Sequence, residues 1–132
     1  MSKGWIAVDL DGTIAHHTGW KGEDHIGEPI PKMVERVKRW LADGKEVGIF
    51  TARVGMCDRQ SENGVIDNFK FAERQQALIK AWCKQHIGQE LRVTASKDFE
   101  MLELWDDRAI QVIVNEGEPV ASKEDRKRKQ HS

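Results

Sequence analysis

The sequence predicts an α/β fold, a parallel sheet flanked by helices. Three observations carry that expectation. Apolar runs of strand length at residues 4–8, 47–50, 91–95 and 101–105 are interleaved with segments whose apolar residues recur at helical spacing. The first two runs are unbroken by charge, as in strands buried on both faces. Three of the runs lead directly into polar residues: Asp9 and Asp11, Thr51, and Asp106 with Asp107. The C-terminal edge of an open parallel sheet is where such folds place a ligand site.

The elements follow in chain order. Residues 4–9 form the first strand, and Asp9-Leu10-Asp11-Gly12-Thr13 follows at its end. Residues 15–28 carry His16, His17, His25 and three glycines with little periodicity, and read as a loop or small flap over the strand end. Pro29 and Pro31 mark a helix start. Ile30, Met33, Val34, Val37 and Leu41 then repeat at helical spacing up to a stop at Gly44. Val47-Gly48-Ile49-Phe50 is the second strand. Residues 53–68 form the longest irregular segment, a length that in compact domains signals function or mobility. A second helix begins near Phe69, puts Phe71, Leu78, Ile79, Trp82 and Cys83 on one face, and ends at Gly88. The third and fourth strands are residues 91–95 and 101–105, with a further apolar stretch at 109–114.

One link is awkward. About five residues join the third strand to the fourth, whereas a helical parallel crossover needs at least about 10. Either an extended segment carries the chain across, or one of the two stretches is not a parallel strand.

Size and composition narrow the class. The 132 residues make one domain at 1–120 and a basic, polar tail at 121–132 that cannot bury anything. With 39% hydrophobic and 33% charged residues the chain reads as globular, and its net charge of -1 provides no field toward nucleic acid or membrane. Cys57 and Cys83 form neither a disulfide framework nor a metal motif. Residues 1–20 lack a signal peptide's apolar core, and no stretch approaches a membrane span. A cytoplasmic setting without membrane contact is expected.

The polar strand ends suit phosphoryl transfer. Magnesium prefers carboxylate oxygens and keeps several waters, so a few acids suffice to hold it. Asp9 can offer one oxygen to a metal and the other to phosphorus as a nucleophile, splitting a difficult hydrolysis into two easier steps. Asp11 returns to the same side of the chain and can protonate the leaving oxygen, then take a proton from water. Gly12 permits a tight turn whose backbone N–H groups can face phosphate oxygens. Thr51 offers a hydroxyl and Lys97 a positive charge. Asp106 and Asp107 would complete the metal shell.

The set Asp9-Leu10-Asp11-Gly12-Thr13, Phe50-Thr51-Ala52-Arg53, Ser96-Lys97-Asp98 and Trp105-Asp106-Asp107-Arg108 resembles, in order, the four motifs of the haloacid dehalogenase (HAD) superfamily. The match spans residues 5–114. The resemblance implies a three-layer, Rossmann-like sheet and magnesium-dependent phosphate chemistry. It makes Asp9 the nucleophile and Asp11 the general acid/base, with Gly12, Thr13, Thr51, Ala52, Arg53 and Lys97 around the phosphate. Metal ligands would be Asp9, the Asp11 backbone carbonyl and the Asp106/Asp107 pair, with Asp107 favoured as the direct ligand. The short segments after the first and second motifs leave no room for a large cap domain, so minimal, cap-less members are the better likeness. The Asp106-Asp107-Arg108 ending with Gln111-Val112 also resembles the phosphatase domain of polynucleotide kinases, which points to a nucleotide or nucleic-acid phosphate end as substrate.

Plainer readings stand beside these. Thr51 is as well placed to cap a turn as to bind a ligand. Lys97 has a solvated surface lysine as a serious rival, and salt bridges are the simpler account of Arg53 and Arg108. The histidines match no metal spacing, and the tryptophans, Trp20 least securely, read as packing groups. The expected function is a magnesium-dependent phosphomonoester hydrolase working through an aspartyl-phosphate. The alternatives are a non-catalytic magnesium- and phosphate-binding regulatory module and a phosphotransferase.

Overall fold

The computed structural model describes residues 3–19, 21–22, 24–55, 60–61, 64–65 and 68–120. The basic tail, Trp20 and Cys57 lie outside the described residues. Strands β1 (Trp5–Asp9), β2 (Glu46–Phe50), β5 (Arg92–Thr94) and β6 (Met101–Trp105) form a four-stranded sheet in the order β5-β2-β1-β6. All its pairings are parallel. Helix α1 (Pro31–Ala42) joins β1 to β2, and α2 (Asn68–His86) lies between β2 and β5. The segment read as irregular at 53–68 includes part of a short 3-10 turn, Ala52–Val54, and a two-residue hairpin of β3 (Gln60–Ser61) and β4 (Gly64–Val65).

Sequence period sets the faces. Side chains alternate along a strand, and the register places Ile6 beside Val47, Val8 beside Ile49, and Ile49 beside Val93. These five residues belong to one core cluster with Met33, Val34 and Val37 of α1 and Ile79, Trp82 and Cys83 of α2. Both helices therefore cover the same face. Helix α1 starts with Pro31 in its first turn, where a missing N–H costs nothing, and gives way to Gly44 at φ +81°. Val8, Val37, Ile49 and Ile79 have no exposed surface. Burying each contributes about 1.5–3 kcal/mol. Cys83 sits in this core, where burial pushes its thiol up to about 12. It is structural, not reactive.

The opposite face is covered only in part. Among the described residues no helix lies on it, so the three layers expected from the resemblance are here two. Trp5 covers the part over β2, while Leu104 of β6, beside Ala7, stays exposed. Its ring lies so close over Gly48 that a Cβ there would stand 3.0 Å from the indole. The Trp5 indole N–H donates to Asp98 Oδ1 (2.9 Å), and the Arg92 guanidinium stacks 4.5 Å from the ring centroid and donates to Asp98 Oδ2 at 3.2 Å. The indole N–H first, then Arg92, hold the Asp98 carboxyl below the usual carboxylate range.

That contact resolves the awkward link. From Thr94 on one sheet edge to Met101 on the other, the chain crosses three strand spacings, about 14 Å, while returning about 13 Å along the strand direction. The diagonal, about 20 Å, is within the ~23 Å that seven extended residues span. Residues 95–100 thus make an extended crossover over the Trp5 face, tied down by the Asp98 side chain and by the Trp5 N–H to Glu100 C=O bond of 2.9 Å.

The apolar stretch at 109–114 forms no strand of the sheet. Residues 111–120 fold back on themselves through Ile113 N–H to Glu118 C=O (2.7 Å) and Val120 N–H to Gln111 C=O (2.9 Å), leaving Ile110, Val112, Ile113 and Val114 exposed. No described helix is long and apolar enough to cross a membrane.

Candidate functional site

Because β1 and β6 are neighbours in a parallel sheet, their C-terminal ends meet. Asp9 closes β1, and Asp106 and Asp107 follow β6 directly. One carboxylate oxygen from each of the three lies within 4.8 Å of the others. Asp9 is half-buried among them. Burial is the largest cause that pushes its carboxyl up to about 7, followed by a hydrogen bond shared with Asp107 and by the charges of Asp106 and Asp107; the Thr13 hydroxyl, donating to Asp9 Oδ2 at 3.3 Å, opposes the rise. Three acids held this close repel one another unless a proton or a cation lies between them. An all-oxygen donor set suits a hard divalent cation such as magnesium, which needs few protein ligands. Gly12, at φ +91°, is what lets the turn approach: a Cβ there would stand 2.7 Å from Asp107 Oδ2.

The acids open into a cavity of about 580 Å³ lined by Asp9, Asp11, Thr51, Arg53, Asp106, Asp107 and Arg108, with His17, Phe50, Ala52 and Phe71. Thr51 caps the 3-10 turn after β2: it is buried, and its Oγ1 accepts from the Arg53 backbone N–H at 3.2 Å. The capping role expected as an alternative is thus the one this turn displays, while the residue still lines the cavity. Asp106 Oδ1 likewise accepts from the Arg108 backbone N–H (2.8 Å).

Asp11 has quite different company. The Arg53 side chain, 6% exposed, donates from Nε to Asp11 Oδ2 and from Nη2 to Asp11 Oδ1, both at 2.8 Å. The same guanidinium reaches the His25 backbone carbonyl (2.8 Å) and Gln75 Oε1 (3.1 Å). The salt bridge expected as the simpler account of Arg53 is present, and its partner is the proposed acid/base.

The segment read as a flap, which brings His17 to the cavity, is anchored at both ends. Ala15 bridges Pro29, and the His16 N–H donates to Glu28 C=O at 2.7 Å. Trp82 Nε1–H holds the Gly27 carbonyl at 3.0 Å, and Arg74 pairs with Asp24 at 3.1 Å.

The remaining sequence candidates fall on either side of the cavity wall. Gly12 gives its N–H to the Ala15 carbonyl (2.8 Å) and Thr13 its hydroxyl to Asp9, so both shape the turn and neither lines the cavity. Lys97 is exposed on the extended crossover and is not brought to the cavity. Arg108, His17, Phe50 and Phe71 do line it, and no local motif marks His17 or Phe71. Gln75 is fully buried beneath Arg53. It sits between Phe71 and Ile79 at four-residue spacing, and a polar residue inside an apolar stripe is its signal in the sequence.

No protein-family model matches the chain, and no curated protein matches it. Its structure is similar to a solved structure described as that of the conserved protein coded by a locus from Bacteroides thetaiotaomicron, with a TM-score of 0.51 and 24% identity over 85% of this chain and 82% of that one. That likeness supports the α/β fold.

Proposed function

We propose that the protein is a magnesium-dependent phosphomonoester hydrolase of HAD type, working through an aspartyl-phosphate on Asp9. The observation that carries this reading is the meeting of Asp9, Asp106 and Asp107 at the C-terminal edge of the sheet, with Asp11 and Thr51 on the same cavity wall. The cap-less assignment is supported by residues 10–30, whose described part holds isolated bridges and no inserted domain. The reading keeps a Rossmann-like core in which an extended crossover takes the place of one helical layer.

In this mechanism Asp9, Asp106 and Asp107 would hold a magnesium ion, which would neutralise the charge between the acids and an incoming phosphate. An Asp9 carboxylate oxygen attacks phosphorus, and the bond from phosphorus to the ester oxygen breaks. Asp11 delivers a proton to that departing oxygen. Water then attacks the aspartyl-phosphate, Asp11 takes its proton, and inorganic phosphate leaves with Asp9 restored. The Thr51 hydroxyl lies at the cavity wall where it can meet a phosphate oxygen. The cavity's size suits a small ligand or the end of a larger one. Phe50, Phe71 and Arg108 offer stacking and charge to a nucleotide or a nucleic-acid end.

A magnesium-supplemented screen over end-phosphorylated oligonucleotides, mononucleotides, sugar phosphates and an aryl phosphate tests this. The expected result is magnesium-dependent phosphate release, fastest from the nucleotide-type substrates; fastest release from sugar phosphates overturns the narrower substrate assignment. One pair of observations favours the alternative, a non-catalytic magnesium- and phosphate-binding module: both Asp11 oxygens are engaged by Arg53, and Lys97 is not among the residues that line the cavity. Magnesium binding by calorimetry without turnover on any substrate decides for that alternative. Transfer to an acceptor alcohol in place of water marks a phosphotransferase.

A further inference from the structure

Arg53 is the most heavily committed charged side chain around the cavity. At least four of the five guanidinium N–H groups point to protein acceptors: both Asp11 oxygens, the His25 carbonyl and Gln75 Oε1. Little of the fork is left to receive a phosphate, which argues against Arg53 as a phosphate clamp. Burying an arginine at 6% exposure is costly unless its hydrogen bonds are satisfied, and here they are satisfied by three other segments: the turn after β1, the flap, and α2. Nη2 bonds Asp11 and the flap carbonyl of His25 at once. A planar, rigid fork cannot follow His25 without turning relative to Asp11.

We propose that Arg53 is a positioning residue that couples the flap, through the His25 carbonyl, to the aim of the Asp11 carboxylate. Movement of the flap over the cavity and reorientation of Asp11 are then one event. Gln75, buried in the apolar stripe of α2, fixes the third side of the guanidinium, so any turn of the fork is shared by its other two partners, Asp11 and His25. The kinetic part of this inference rests on the reading of Asp11 as proton carrier; the structural part does not.

The test is a double-mutant cycle on Arg53→Lys and Asp11→Asn in the full chain. Lysine keeps the charge and loses the fork. The first readout is amide exchange by NMR at His25 and His16, whose N–H groups bond the Gly22 and Glu28 carbonyls. Asp11→Asn lies outside the flap, yet coupling predicts that it speeds exchange at His25 about tenfold, and that the same substitution adds less than twofold in the Arg53→Lys background. Unchanged exchange at His25 in Asp11→Asn overturns the coupling, whether or not the protein turns anything over. If Arg53→Lys fails to fold, the Asp11→Asn comparison with wild type still decides.

The second readout is kinetic. Arg53→Lys is expected to lower kcat/KM, which reports only the first half-reaction, about tenfold on an alkyl phosphate, whose leaving oxygen needs a proton. On p-nitrophenyl phosphate, whose leaving group does not, the loss should stay within about threefold, with inhibition by inorganic phosphate unchanged. A tenfold loss of phosphate inhibition identifies a clamp and overturns the positioning role. Absence of turnover in the wild-type protein counts against the hydrolase reading alone, because the exchange measurement remains decisive for the coupling.

Discussion

Asp9 and Asp11 stand two residues apart on one turn, and the two sides of the cavity they face have opposite character. Asp9 looks toward Asp106 and Asp107, where burial first, and then the hydrogen bond and charges of those acids, pushes its carboxyl up to about 7. Asp11 looks toward a buried guanidinium that occupies both its oxygens at 2.8 Å. One side invites a cation and the other already contains one. Two identical side chains in one short motif are thus prepared for different work by their surroundings, the same logic by which paired carboxylates elsewhere divide into distinct chemical roles.

Breaking each side separately gives the sharpest contrast. Asp9→Asn removes the nucleophile, and turnover of an aryl phosphate is expected to fall at least about 10³-fold while circular dichroism stays native; residual activity within tenfold of wild type contradicts the assignment. Asp11→Asn is expected to cost about 10²-fold in kcat/KM, which reports only the first half-reaction, on an alkyl phosphate and much less on an aryl one. Equal losses of kcat/KM on both substrates would mean that Asp11 does not serve the leaving group.

The acidic side also has a signature in stability. With a folded value of about 7 against an ordinary 3.8, Asp9 holds its proton more tightly in the native state than in the unfolded one. Its contribution to stability is therefore full below about pH 4 and is lost as the pH rises through 7. The metal-free wild type should lose a few degrees of melting temperature across that window relative to Asp9→Asn. Magnesium should restore them above pH 7 by binding the native state. Parallel pH curves for the two proteins would show that Asp9 is not under this strain.

The smallest effect concerns Lys97. Exposed on the extended crossover and absent from the cavity lining, it should tolerate Lys97→Ala with kcat/KM changed less than about twofold; a hundredfold loss would restore its place at the phosphate.

What the sequence made legible was local. The spacing of Met33, Val34 and Val37 marks α1, and the acids after two apolar runs mark the ends of β1 and β6, because a period or a strand end is written in neighbouring residues. Lys97 shows the limit. Its order in the chain matches a motif, but β5 ends at Thr94 and the chain turns at once across the Trp5 face, a path that depends on which sheet edge each strand occupies. The stretch at 109–114 has the composition of a strand, yet strand composition reflects packing as much as backbone preference, and no sheet partner takes it up. The Arg53 contacts link positions 11, 25, 53 and 75, a convergence that only the fold creates. The sequence carries only the expectation of a salt bridge for Arg53, without its partners, and the polar Gln75 within an apolar stripe.

The central claim is that the acidic side of the cavity carries the covalent step. Acid quenching of the protein with magnesium and a turned-over substrate, followed by peptide mass spectrometry, tests it directly. The predicted result is a phosphoryl adduct on the peptide bearing Asp9, absent without magnesium and absent in Asp9→Asn. Turnover with no such adduct, or an adduct on another residue, would contradict it.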